Sequence, residues 1–421
     1  MVRTSVAVGA AARDKGDALP RQGEAVGRAA RGLVCMVAYT NYAIDARVRR
    51  EAETLVTNGF QVCCLTTNNG SEQPTFVLNG VTVRELGVPK YRGKSTVAYV
   101  GSYVRFTLAA AAAVLRLLMK NELDIVHIHN IPDFLVLAGL LPRLFGRKVV
   151  LDIHDSVPET FATKFSSRPI LKTLLCLEER VSAFVAHKVI CVNHPQRDTL
   201  VARGIPKAKT FISMNMADPS IFARPFGEAR PETDAATFNL VYHGTMAERL
   251  GVDLVIRAVA LLRARIPGLR LNLWGHGDDL ASFQQLAKDL AVEDAVLFKP
   301  KGYPLHELPM HLGAMDLGVV GNRRSVACDL MLPVKLVEYV SLGIPAVVPR
   351  LKTIEHYFSD DMVAYFEPEN VQSLADSIYR LYSGPAARRL QATRANQFLQ
   401  TYGWERQGAE FVTFYRQLLE K

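Results

Sequence analysis

The chain has 421 residues, a formal net charge of +9 and hydrophobic residues at 49% of its positions. This length exceeds what one ordinary core accommodates, so we expect two domains of roughly 200 residues each, with a cleft between them. The positive charge favours anionic partners. Aromatic residues are not interleaved with basic ones as in RNA-binding proteins, so we expect no nucleic acid to bind.

Residues 1–30 are rich in Ala, Arg and Gly and lack apolar periodicity, which predicts a disordered tail rather than a signal peptide. Scattered cysteines within apolar runs are typical of reduced core thiols in a cytosolic protein. The apolar residues 106–119 are too few for a bilayer crossing, which needs ~20 residues. We expect a helix packed on a sheet there, with an interfacial membrane helix as the alternative.

Short apolar strands alternate with helical patterns along most of the chain, which predicts parallel sheets covered by helices on both faces. The first α/β domain is assigned to residues 31–215, a turn-rich linker to residues 216–237 and a second α/β domain to residues 238–402. Residues 403–421 form an amphipathic helix that we expect to pack back on the first domain.

Predicted strands of the first domain lie at 33–38, 60–66, 124–129, 148–153 and 188–192. Those of the second domain lie at 238–242, 269–274, 296–298, 317–320 and 346–348. Two doubly wound, Rossmann-like domains of this kind bind ligands in the cleft between the carboxyl ends of their strands. Functional residues should therefore follow strands directly.

Polar residues follow three predicted strands of the first domain. Asn41 and Asp45 come after the first strand, and Asp45 is a suitable N-cap for the next helix. His154 and Asp155 follow the strand at 148–153, where a histidine can act as a general acid or base or bind a sugar hydroxyl. The histidines at 127 and 129 have no obvious acidic partner, so we expect no metal site.

In the second domain, small and basic residues follow the strands. Gly244 lets a ligand approach the backbone, and Arg249 offers a planar charge suited to a diphosphate, although a solvated surface turn is an equal alternative. Gly275 begins a second turn of this kind. Lys335 and Glu338 lie at the start of a predicted helix, whose unpaired N–H groups and dipole attract phosphate.

Five segments, taken in order, resemble the retaining, nucleotide-sugar-dependent glycosyltransferases of family 4, which have the GT-B architecture. They read DARVRREAETLVTNGFQV, DIVHIHN, LDIHDSVPE, YHGTMAERLGVDLVIRA and LPVKLVEYVSLGIPAVV, and the resemblance extends over nearly all of the chain from about Leu33. It implies transfer of a sugar from a nucleoside diphosphate sugar to an acceptor hydroxyl, with retained anomeric configuration and with no metal or other cofactor.

The resemblance also implies roles for single residues. Arg249 matches one of two basic residues that hold the diphosphate, and Lys335 is our candidate for the missing second one. Glu338 matches the glutamate at the ribose, and His154 matches a histidine that reaches toward the transferred sugar. Leu330 occupies the place of a glutamate that contacts the donor sugar, so we assign this role to Asp329 beside it. The remaining candidates are Gly244 and Gly275 for the donor and Asn41, Asp45 and Asp155 for the acceptor.

We expect a cytoplasmic enzyme, in solution or at the inner face of the membrane, with a glycan or lipid-linked acceptor. Its product would belong to a polysaccharide, a lipid-linked glycan or a glycolipid. Two alternatives stay open. One is a nucleotide-sugar epimerase of the same architecture, and the other is a non-catalytic, glycosyltransferase-like subunit.

Overall fold

The protein is described by a computed structural model that covers residues 32–70, 73–91, 93, 95–164, 169–222 and 236–420. The tail predicted at residues 1–30 lies outside the described residues, and so do residues 223–235 of the predicted linker. The described parts form two α/β domains, each built on a Rossmann-like sheet.

The described strands of the first domain are β1 (Leu33–Ala38), β2 (Gln61–Asn68), β3 (Thr75–Leu78), β4 (Val81–Pro89), β5 (Ile125–His129), β6 (Lys148–Ile153), β7 (Lys188–Cys191) and β8 (Thr210–Ile212). They form one sheet in the order β3-β4-β2-β1-β5-β6-β7-β8. The hairpin of β3 and β4 is antiparallel and lies at one edge, whereas the other strand pairs are parallel, as expected.

The described helices of this domain are α1 (Ala46–Thr57), α2 (Thr96–Met119), α3 (Leu140–Leu144), α4 (Val157–Lys164), α5 (Pro169–Val185) and α6 (His194–Ala202). Asp45 caps α1, since its side chain accepts the N–H of Val48 at 3.2 Å. Helix α2 begins after Ser95, ten residues before the apolar stretch seen in the sequence, because the Ser95 side chain caps it.

Of the described helices, α2 alone is long and apolar enough to cross a bilayer by length and composition, over Val97–Met119. Its Phe106, Ala110 and Val114 are buried in the core of the first domain. The prediction of a helix packed on the sheet is therefore confirmed for this face, while the opposite face of α2 is exposed.

The second domain contains the described strands β9 (Phe238–His243), β10 (Leu269–Trp274), β11 (Val296–Lys299), β12 (Leu317–Val319), β13 (Ala346–Pro349) and β14 (Ala364–Phe366), paired in the order β11-β10-β9-β12-β13-β14. Every pair is parallel. Its described helices are α7 (Val252–Leu262), α8 (Leu280–Asp289), α9 (Leu308–Gly313), α10 (Val334–Ser341), α11 (Lys352–Tyr357), α12 (Val371–Ser383), α13 (Pro385–Ala395) and α14 (Gln397–Tyr402).

The last described helix, α15 (Trp404–Glu420), crosses from the second domain to the first. Its Phe411 and Tyr415 pack in the core beside Val34 and Met36 of β1. This contact removes apolar side chains of both α15 and β1 from water. Helix α15 therefore completes the core around the first strand.

Candidate functional site

A cavity of about 520 Å³ lies between the two domains, at the carboxyl ends of their central strands. His154 and Asp155, which follow β6, line it from the first domain. Glu338 of α10 and Leu330 line it from the second domain. The structure thus brings together residues that are far apart in the sequence, in the position where doubly wound sheets bind ligands.

His154 is oriented by a buried carboxylate. Its Nε2 lies 3.0 Å from Oδ2 of Asp152. Burial alone would raise the pKa of Asp152, but Arg47 and His154 hold this pKa well below its ordinary value. An ionised carboxylate only accepts hydrogen bonds, so Nε2 of His154 donates to it, and in the neutral ring Nδ1 is left as an acceptor.

At the cavity wall, Arg47 forms ion pairs with two buried carboxylates. Its guanidinium lies 2.6 Å from Asp152 and 3.3 Å from Glu51. His129 lies 3.2 Å from Asp152, and burial, followed by the neighbouring His127, lowers the pKa of His129 well below its ordinary value. A neutral His129 therefore shares Asp152 with His154.

The same cluster corrects one expectation. Glu51, His127, His129 and Asp152 each offer a ligand atom within 4.8 Å of the others, so the two histidines do have acidic partners. Strand pairing supplies one of them, because Asp152 of β6 stands opposite His129 of β5, and α1 supplies the other. These four residues could hold a metal ion by their spacing. Arg47 forms ion pairs with both carboxylates, so one positive charge already lies beside these four residues.

In the second domain, Glu338 is held by His243 at the end of β9. The distance from Nε2 of His243 to Oε2 of Glu338 is 2.5 Å. The other ring nitrogen of His243 lies 3.1 Å from the hydroxyl of Tyr339, which donates to the carbonyl of Val241. This chain of contacts fixes a carboxylate at the cavity wall.

Lys335 lies one turn before Glu338, with its Nζ buried and without a hydrogen-bond partner among the described residues. The ammonium lies 3.5 Å from the ring centroid of Tyr242. Burial, opposed by the nearby Glu338 and assisted by Arg249, lowers the pKa of Lys335 to about 7. A buried cation with no anionic partner marks a place where a ligand can supply the anion.

Two glycines form the turn beside Lys335. Gly244 has a φ of +102°, and a Cβ there would lie 3.9 Å from Cε of Lys335. Gly275 has a φ of +142°, and a Cβ there would lie 1.9 Å from the carbonyl oxygen of Gly244. Both positions require glycine, because a side chain would be strained and, at Gly275, would collide with the backbone.

Comparison with known proteins agrees with this geometry. Residues 43–214 match the family model described as a glycosyl transferase 4-like domain, and residues 237–384 match the model of glycosyl transferases group 1. The chain belongs to the family 4 glycosyltransferases.

Two curated relatives illustrate the range of this glycosyltransferase family. N-acetyl-alpha-D-glucosaminyl L-malate synthase of Bacillus anthracis is 22% identical over 76% of this chain and 81% of its own length. GDP-mannose-dependent alpha-(1-6)-phosphatidylinositol monomannoside mannosyltransferase of Mycolicibacterium smegmatis is 35% identical, over 25% of this chain and 28% of its own length. Thus the second match spans only about a quarter of that relative.

Among solved structures, sucrose-phosphate synthase of Thermosynechococcus elongatus has a TM-score of 0.76 with this glycosyltransferase. The match covers 93% of this chain and 100% of the other at 17% sequence identity. At this identity the likeness shows the shared GT-B fold.

The structure does not bring Asp329 to the cavity of the glycosyltransferase. Its Oδ1 faces the N–H of Lys352 at 3.4 Å, at the start of α11. Leu330, the next residue, lines the cavity instead. The two side chains leave a 3₁₀ turn, Cys328–Leu330, in different directions, so a shift of one residue carries the carboxylate away from the donor.

The other candidates of the glycosyltransferase lie at different distances from the cavity. Asp45 lines it while capping α1, whereas Asn41 is outside its lining and accepts the N–H of Ala43 at 3.0 Å. Arg249 is exposed and lies outside the lining, as do Gly244, Gly275 and Lys335, although its charge acts on Lys335.

Sequence reasoning missed two residues of the site. Asp152 lies two positions before His154, and alternate residues of a strand share a face, so this spacing was a usable signal. His243 is the last residue of an apolar strand, directly before Gly244, but its contact with Glu338 depends on how β9 and α10 pack. That contact has no local signature.

Proposed function

We propose that the protein is a retaining glycosyltransferase that moves a hexose-type sugar from a nucleoside diphosphate sugar to an acceptor hydroxyl. The observation that carries this proposal is the cavity between the domains, with His154 on one wall and Glu338 on the other. Its volume of about 520 Å³ is sufficient for a sugar unit and its acceptor group. The relative that depends on GDP-mannose supports a nucleotide-sugar donor.

The donor's diphosphate would bind beside Gly244 and Gly275, where Lys335 supplies a buried charge. The first N–H groups of α10 add positive dipole at the same place. When the glycosidic bond to the donor breaks, negative charge builds on the leaving diphosphate, and Lys335 with Arg249 would stabilise it. Because two cationic side chains can fill this role, we propose that the transfer requires no metal.

Glu338 would hold the ribose hydroxyls, since His243 keeps its carboxylate at the cavity wall. His154 would accept a hydrogen bond from a hydroxyl of the transferred sugar through Nδ1, because Asp152 occupies Nε2. The acceptor hydroxyl would attack on the face from which the diphosphate leaves, which retains the anomeric configuration. The leaving phosphate oxygen would take the acceptor's proton.

The acceptor side of the cavity is lined by carboxylates, among them Asp45, Asp155 and Glu159. A reacting unit with its own negative charge would be repelled there, so we propose a neutral sugar or polyol hydroxyl as the group that is glycosylated. Such a unit could belong to a growing glycan or to a lipid-linked acceptor. The relative that acts on a phosphatidylinositol monomannoside supports the lipid-linked form. We propose a cytoplasmic site of action.

A panel of nucleotide sugars tests the proposal. The purified protein should bind one of them and slowly hydrolyse it, and NMR of the transfer product should show the anomeric configuration of the donor. Inversion would contradict the retaining mechanism, and reversible loss of activity with a chelator would contradict metal independence. Conversion of the free nucleotide sugar into its epimer without an acceptor would indicate an epimerase.

One observation favours a second function. Leu330 faces the cavity where the family carries a sugar-contacting glutamate, and Asp329 lies outside the cavity lining. A subunit that binds a nucleotide sugar without transferring it would have this arrangement. Binding without hydrolysis or transfer, with every acceptor tested, would support that function.

A further inference from the structure

The outer face of α5 is apolar, although it faces solvent. Ile170, Leu174, Leu177, Val181 and Phe184 follow each other at spacings of four and three residues and are 51–77% exposed. A helix at the surface of a soluble domain normally turns its polar side outward, so this stripe is the reverse of the usual arrangement.

Helix α2 presents a second stripe of the same kind. Val97, Val100, Val104 and Leu108 are spaced by three or four residues, and each is 44–83% exposed. The buried side of α2 already packs on the sheet, so its exposed stripe is not needed for the fold.

Residues 133–145, which form a 3₁₀ turn and α3, lie between α2 and α5 and contact both helices. This segment also exposes large apolar side chains, at 39–72%. They are Leu137, Leu140, Leu141, Leu144 and Phe145. We call the exposed residues of α2, of residues 133–145 and of α5 the apolar face. Exposed apolar areas of this breadth mark sites of protein or membrane contact.

Charge distinguishes between these partners. The exposed charged side chains on the described residues of the apolar face are cationic, and they are Arg105, Arg116, Lys172 and Arg180. The three carboxylates of the same segments do not face outward, because Asp133 and Glu179 are buried and Glu178 is half-buried. Exposed apolar side chains with only cations around them match a bilayer that contains anionic lipid.

The apolar face is joined directly to the cavity. Helix α4, which precedes α5, contributes Glu159 and Thr160 to the cavity wall. The side chain of Asn130 donates to Asp133 at 2.7 Å and to the carbonyl of Asp155 at 2.8 Å. The segment that carries the middle of the apolar face is therefore tied to the residues that surround the acceptor.

We propose that the apolar face docks on the surface of a bilayer containing anionic phospholipid, with the cavity held beside the head groups. The acceptor then keeps its lipid in the bilayer while its head group enters the cavity from the first domain. This use of the face rests on the proposed glycosyl transfer, whereas the docking itself does not.

Sedimentation with vesicles tests the docking. Full-length protein should sediment with vesicles made of equal parts of phosphatidylcholine and phosphatidylglycerol, and less with phosphatidylcholine alone. Leu174→Gln combined with Leu177→Gln should weaken binding about tenfold, because apolar area no longer enters the interface. Leu261→Gln combined with Leu390→Gln is the matched control, since these leucines are similarly exposed on the second domain.

The cationic contribution is tested in the same way. Arg105→Glu with Lys172→Glu should abolish the preference for phosphatidylglycerol, while Arg270→Glu with Lys288→Glu on the second domain should leave it unchanged. Equal binding of both charge variants would contradict recognition of anionic lipid by this face.

Two results would overturn the docking proposal. One is failure of the native protein to bind either vesicle, and the other is a dimer in analytical ultracentrifugation that the Leu174 and Leu177 variant dissociates. The second result would show that another copy of the chain covers the face.

Nucleotide-sugar binding is measured on each protein separately. If the protein binds a nucleotide sugar but not vesicles, only the docking proposal fails. If it binds vesicles but no nucleotide sugar, only the proposed transfer fails.

Discussion

Lys335 is the residue whose environment we expect to change most when the proposed donor binds. Its Nζ is buried beside the ring of Tyr242, without an anion, and its pKa lies near 7 instead of at the ordinary value for lysine. A lysine whose pKa is lowered by folding costs stability below its ordinary pKa, because the unfolded chain binds the proton more tightly. A diphosphate beside Nζ would remove this cost by pairing with the charge.

We therefore expect donor affinity to depend on pH. The bound diphosphate raises the pKa of Lys335, so binding takes up a proton at pH values above about 7. Affinity should be constant below that pH and should fall as the pH rises above it. Calorimetry in buffers of different ionisation enthalpy measures both the affinity and the proton uptake.

Lys335→Met tests the same charge. This variant should lose at least about tenfold in donor affinity and lose the pH dependence, yet unfold at a higher temperature, since a buried unpaired charge is gone. Lys288→Met, at an exposed position on α8, is the control and should change neither property. If the pH dependence persists in Lys335→Met, another group titrates.

We expect Asp152 to act on catalysis through His154. Asp152→Asn should lower kcat by about tenfold or more, because an amide can donate to Nε2 of His154 and so reverse the roles of the two ring nitrogens. Stability should also fall, by about 3 kcal/mol, since Arg47 loses a buried partner.

The two effects of this substitution separate experimentally. A structural role alone would lower the unfolding temperature but leave kcat and its pH profile unchanged well below that temperature. Unchanged kcat in Asp152→Asn would therefore remove Asp152 as a positioning residue for His154.

At the scale of elements, the 3₁₀ turn Cys328–Leu330 and α11 determine what Asp329 does. Its carboxylate faces the first N–H of α11, and its carbonyl accepts the hydroxyl of Thr353. We expect Asp329→Asn to keep its turnover and donor affinity while losing about 0.5–1 kcal/mol of stability, because a negative charge near a helix N-terminus is removed. Urea unfolding and steady-state kinetics measure both. A fall in the kcat of Asp329→Asn would show that Asp329 contributes to the donor site.

Most strands were predictable because parallel strands buried on both faces appear as short apolar runs. The hairpin of β3 and β4 was missed, although Asn79-Gly80 between apolar residues is a recognisable hairpin signal. The strands β8 and β14 have three residues each, too few to show a period.

The candidate site was predictable to the extent that its residues follow strands. His154 was placed by this rule and Glu338 by its position at the start of a predicted helix, and both line the cavity. The residues that orient His154 and Glu338 were not predicted. Asp152 contacts His154 through the geometry of one strand, and His243 contacts Glu338 through the packing of β9 on α10. Asp329 lies outside the cavity lining for a related reason. The direction in which a side chain points changes with every residue of a tight turn.

At the scale of the whole molecule, a group of hydrogen bonds beside the cavity, which we call the joint, connects the two domains. The first residue of α6, His194, bonds the hydroxyl of Tyr357 through its backbone N–H at 2.9 Å and through Nδ1 at 2.7 Å. Next to it, the side chain of Asn193 donates to the carbonyl of Leu330 at 2.8 Å. We expect these contacts to help set the distance across the cavity.

Tyr357→Phe should loosen this joint. We expect kcat to fall because the two walls are less well aligned, while affinity for the nucleoside diphosphate stays within about twofold, since its proposed contacts lie in the second domain. Spin labels on either side of the cavity should show a broader distance distribution. Tyr382→Phe, whose ring packs on Phe238 inside the second domain, is the control. An unchanged distribution would show that the joint does not set domain alignment.

Helix α15 has a consequence for the order in which the protein is made. The strand β1 leaves the ribosome before the second domain is made, but Phe411 and Tyr415, which pack in its core, are translated only after that domain. The first domain therefore has one apolar side of its sheet uncovered until α15 has been translated. A nascent chain that stops short of α15 would expose that surface and should be retained by chaperones or degraded, so that copies with α15 in place predominate among the folded molecules.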